Sequence, residues 1–159
     1  MKKIVFLAAF FAVFIIMNAF ALDNPLMQMR NKIFQESQQL TPLLVEPKDA
    51  VLVSSMWDSC LISVNQFDAY FSMLGIFGAV TEKKERQAAA EYLSSWLNTI
   101  KNNNLLNIKS LAAASTKNTA IKPHIEKLTG YFKEANNLID QELGRVHSLK
   151  RSLNIKSKE

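Results

Sequence analysis

The chain has 159 residues, 48% of them apolar and 21% charged, with a formal net charge of +5 at neutral pH. That apolar share excludes a disordered chain, and a content of 4 glycines and 4 prolines argues against a loop-rich all-β fold. One cysteine, Cys60, excludes an intramolecular disulfide framework and any cysteine-cluster metal site.

Met1, Lys2 and Lys3 precede an apolar run from Ile4 to Met17, and Ala19-Phe20-Ala21 follows. A basic start, an apolar middle and a small-x-small triplet read as an export signal over residues 1–21, cleaved after Ala21. The competing reading is a retained anchor. Against it, Asn24-Pro25 breaks the stretch directly afterwards. No cysteine follows the cleavage position, so a bacterial lipoprotein anchor is not available there. Losing Lys2 and Lys3 lowers the net charge to +3. No later unbroken apolar run approaches a bilayer span, so the processed chain is expected without a transmembrane segment, periplasmic or secreted. The sequence contains no Asn-x-Ser/Thr acceptor, which fits a bacterial periplasm.

The remainder reads as an all-α chain: a bundle over residues 22–154 and a basic tail over 155–159. Asn24 and Pro25 suit the cap and first turn of a helix, with Leu26, Met29, Ile33 and, less regularly, Leu40 as its stripe. The polar residues 35–39 are expected to face solvent or to end this helix. A second helix is predicted over 48–75. Its seam of Ala50, Val53, Trp57, Cys60, Val64, Phe67, Phe71 and Leu74 alternates steps of three and four without a break. Met56, Leu61 and Tyr70 flank that seam, and Gly75 and Gly78 are expected to end the helix.

Thr81 is a cap for a third helix carrying Ala89, Leu93, Trp96 and Ile100. Asn102-Asn103-Asn104 is expected to break it, leaving a kink or an extra short helix near 102–115. The last helix is predicted from about 121 to 154, with Pro123 in its first turn and Glu142 as the one carboxylate on its seam. Three long rods and a shorter first one make an antiparallel four-helix bundle.

The residues able to carry chemistry are few. Cys60 sits on the seam with no Lys, Arg or His within four residues, which points to a buried, inert thiol. His124 and His147 lie 23 residues apart on one helix, about 35 Å, so they cannot share a metal, and both are expected at the surface. Exported cytochromes of the four-helix type hold haem between an early methionine and a late histidine. Met27 or Met29 with His147 repeats that arrangement only in outline. No cofactor and no metal is therefore expected, and no catalytic residue stands out. Glu142 reads as a register-setting polar layer, or as the sign of a slightly rotated helix.

Charge is divided. Residues 22–100 carry 6 basic and 9 acidic groups, whereas 101–159 carry 11 and 5. Lys150, Arg151, Lys156 and Lys158 form a basic C-terminus that suits the helix dipole, or an interaction tail for an anionic envelope surface or an acidic partner. These cations lack interleaved aromatics, so nucleic acid is not an expected ligand. The function expected from the sequence is non-catalytic: an exported bundle acting in the envelope through a protein partner or self-association. The alternative is a small-molecule or cofactor carrier with a pocket near Trp57, Trp96 and Phe132, haem being its least favoured case.

Overall fold

The computed structural model describes residues 24–45 and 47–155. The export signal, Lys156 and Lys158 lie outside the described residues. The described chain is all-α: α1 (Pro25–Leu40), a 3-10 turn (Thr41–Val45), α2 (Ala50–Ala79), α3 (Lys83–Ala113) and α4 (Lys122–Ile155). Asn24 caps α1 through its side-chain oxygen, which accepts from Leu26 N–H at 2.9 Å, and Pro25 fills the first turn.

The four helices form a ring. α1 packs on α2, α2 on α3, α3 on α4, and α4 returns to α1. Neighbours run antiparallel, since paired numbers rise on one helix as they fall on the next: Lys101 with Asp140 and Glu91 with Lys150 across α3 and α4. Each adjacent pair carries a polar tie. Arg30 grips Asp68 with two parallel bonds of 2.9 and 2.7 Å between α1 and α2. Trp96 donates its indole N–H to the main-chain carbonyl of Gln66 at 3.0 Å between α3 and α2. Lys32 meets Glu134 between α1 and α4.

α1 has 16 residues against 30 to 34 in the others, so it lines only about half the bundle. Its start lies beside Leu138, Gln141 and Arg145. Beyond that point α2, α3 and α4 continue without it. We call this end the open pole. The opposite pole is closed by Asp49, whose carboxylate accepts from Thr116 and Asn118 in the α3–α4 connection.

Several expectations are corrected. α3 is one uninterrupted helix through Asn102-Asn103-Asn104, with no separate short helix at 102–115. Asn104 falls on the seam after Ile100, is fully buried and finds partners there, and this offsets its weak helix propensity. α2 runs to Ala79 through both Gly75 and Gly78. All four glycines lie inside helices, and none of the described ones has a positive φ. The expected seam of α2 is buried at Val53, Cys60, Val64 and Phe67, and at its other positions the buried stripe shifts to the flanking residues. Met56 and Tyr70 are buried, while Trp57 and Phe71 lie at the edge. Residues 35–39 neither end α1 nor all face solvent, because Glu36 and Ser37 are buried.

Candidate functional site

The core holds three polar clusters spaced along its axis. The first lies toward the closed pole. Glu36 continues the α1 seam after Leu26, Met29 and Ile33, so the helix aims its carboxylate inward at 2% exposure. One oxygen meets Nδ1 of His124 at 2.5 Å and the other meets Nζ of Lys127 at 3.3 Å. Lys127 also donates to Gln39. His124, expected at the surface, is therefore half-buried and engaged. Cys60 of α2 is buried close by. Burial pushes its thiol up to about 12, and the Glu36 carboxylate adds to the rise.

The second cluster is a layer across α2, α3 and α4. Ser63 donates to the side-chain oxygen of Asn104 at 3.4 Å, and the Asn104 amide donates to Asn136 at 3.0 Å. All three residues are buried. The third lies toward the open pole, where Tyr70 donates to Glu142 at 2.8 Å and Arg145 holds the other carboxylate oxygen at 3.3 Å. Burial first, and then Glu142, raise the Tyr70 phenol well above its ordinary value.

The chemistry open to these clusters is limited. A carboxylate on a histidine ring nitrogen is half of a nucleophile-activating arrangement. The nearby Cys60 thiol is buried, and burial together with the Glu36 carboxylate favours its protonated, less nucleophilic form. Among the described residues no group of three His, Cys, Asp or Glu is placed to hold a metal. Each cluster satisfies buried polar groups between helices, which fixes register. The sequence carried a signal for Glu36, since it occupies the vacant step of the α1 stripe. Asn104 showed the same periodicity but was hidden inside an asparagine run.

The other singled-out residues are dispersed. Met29 is buried in the core, Met27 is half-buried, and His147 is exposed on α4, so the methionine–histidine arrangement has no shared site. Trp57 and Trp96 pack at the core edge and Phe132 within it. Lys150 is paired with Glu91 at 2.7 Å, while Arg151 is exposed. Compared with known protein families, curated proteins and solved structures, the chain matches none.

The outer surface offers a different feature. α2 carries no Lys or Arg in 30 residues, and its only charges are Asp58 and Asp68. Arg30 takes Asp68. Outward, α2 exposes Val51 at 85%, Ile62 at 52% and Ile76 at 64%, and α3 exposes Tyr92 and Leu106. A shallow groove of about 620 Å³ runs along Val51, Ser55, Asp58 and Ile62. By length and composition α2 could cross a membrane, with 33% of its most apolar window buried.

Proposed function

We propose that this chain is exported, loses residues 1–21, and works without catalysis as an adaptor or assembly subunit of the cell envelope. The observation that carries this reading is the nearly uncharged outer face of α2, with Val51, Ile62 and Ile76 exposed on a helix lacking any cation. Isolated exposed apolar residues are ordinary, but an aligned set on a charge-poor helix suits a protein contact. The core supports the same reading, because its polar groups are used in holding helices together. The partner is another envelope protein or a second copy of the chain.

The test is pull-down from the native envelope, with light scattering on the purified protein, for the wild type and for Ile62→Glu. The reading expects a partner or a concentration-dependent oligomer that Ile62→Glu weakens while helicity is unchanged. A strict monomer that captures the same proteins with and without the substitution would sink it.

A further inference from the structure

The helix order gathers at the open pole several charged segments that are far apart in sequence. The α2–α3 turn brings Lys83, Lys84 and Arg86 there, and antiparallel α4 brings Arg145, Lys150 and Arg151. Acids are present too: Glu82, Glu85, Glu91 and Glu142. Two of them are occupied, Glu91 by Lys150 and Glu142 by Arg145. Among the described residues that leaves Lys83, Lys84, Arg86 and Arg151 against Glu82 and Glu85. Arg86 lies over the ring of Phe77 at 5.4 Å, which holds its charge at this end.

We propose that the open pole docks on an anionic lipid bilayer, so that the helices stand on the membrane rather than lie along it. This inference rests on the envelope location proposed above. Cations from the start of α3 and the end of α4 would sit together near the headgroups. Each cation near an anionic surface strengthens binding about fivefold at low salt. Surplus positive charge at one pole therefore orients the molecule. Standing this way, the outer face of α2 points sideways along the membrane, where a neighbouring envelope protein can reach it.

The test uses the chain from residue 22 onward, which contains the whole described core, Leu26 to Val146. It is sedimented with vesicles of phosphatidylglycerol and phosphatidylcholine, and with phosphatidylcholine alone. The expected result is binding to the anionic vesicles only, weakened by salt. Lys83→Gln/Lys84→Gln/Arg151→Gln should lower it at least about tenfold, with helicity unchanged. Deleting residues 155–159 should leave a clear part of the binding. Equal binding to neutral vesicles, undiminished binding by the triple variant, or complete loss on deleting 155–159 would each overturn the proposal. Ile62→Glu separates the two ideas, because it should leave vesicle binding intact even where it abolishes partner capture.

Discussion

Tyr70 on α2 and Glu142 on α4 stand on helices that are not neighbours in the ring, yet they meet across the core through a 2.8 Å hydrogen bond. The ring of Tyr70 is fully buried, so its hydroxyl has no water to turn to. Tyr70→Phe removes the donor and leaves Glu142 with the exposed Arg145. A loss of about 1–2 kcal/mol is expected, read as a lower urea midpoint at constant slope. An unchanged midpoint would show that the diagonal bond contributes nothing.

Alkaline pH should weaken the fold. The Cys60 thiol is raised to about 12 in the native state, against about 8.5 in an unfolded chain. The Tyr70 phenol is raised as well. Raised folded values mean that the native state retains protons the unfolded state releases. The contribution is complete below the unfolded values and is lost as pH rises toward the folded ones. From about pH 9 upward stability should fall by up to about 1.4 kcal/mol per pH unit for each group. Urea titrations at pH 7, 9 and 10 measure this. Cys60→Ala should flatten the first part of the decline, and Ellman's reagent should label the native thiol slowly.

Glu36 and His124 should show strong mutual dependence. His124→Leu leaves a 2% exposed carboxylate facing only Lys127, itself 48% exposed. A cost of about 3 kcal/mol is expected. Glu36→Leu with His124→Leu removes both polar partners and should recover most of that loss. A double-mutant cycle gives the coupling, and additive losses would mean that the pair does not act as a unit.

Gly130 and Gly144 lie inside α4, and a Cβ at either would meet nothing within 4 Å. Neither needs the backbone freedom of glycine, since no glycine among the described residues has a positive φ. Gly130→Ala and Gly144→Ala should each stabilise by about 0.5–1 kcal/mol. Thermal unfolding would show this as a Tm rise of a few degrees.

Much of the fold was legible because three-and-four spacing is a strong signal: on α4 it runs through Ile121, Ile125, Leu128, Phe132, Ala135, Ile139, Val146 and Leu149, and of these Ile125 is only partly buried and Leu149 is exposed while the other six are buried. Element rotation was harder to read. On α2 the rows containing Trp57 and Phe71, and those containing Met56 and Tyr70, fit the same period, and only the neighbouring helices choose between them. Glycine and asparagine misled for a related reason. Their local preference against helix is worth about 1 kcal/mol or less, which packing along a 30-residue helix outweighs. The Glu36 cluster was hidden because its partners lie 88 and 91 residues away. A charge on an apolar seam flags a buried pair without naming the second member.

The short α1 grades the molecule along its length. In the middle of the bundle, amides around Cys60, Ser63 and Asn104 sit beside the buried Glu36 and Asn104 clusters, so their hydrogen exchange should require global unfolding. The last turns of α2 and α4, beyond the reach of α1, have fewer neighbours and should exchange by local opening. On that expectation the terminal turns at the open pole can loosen without unfolding the middle of the bundle.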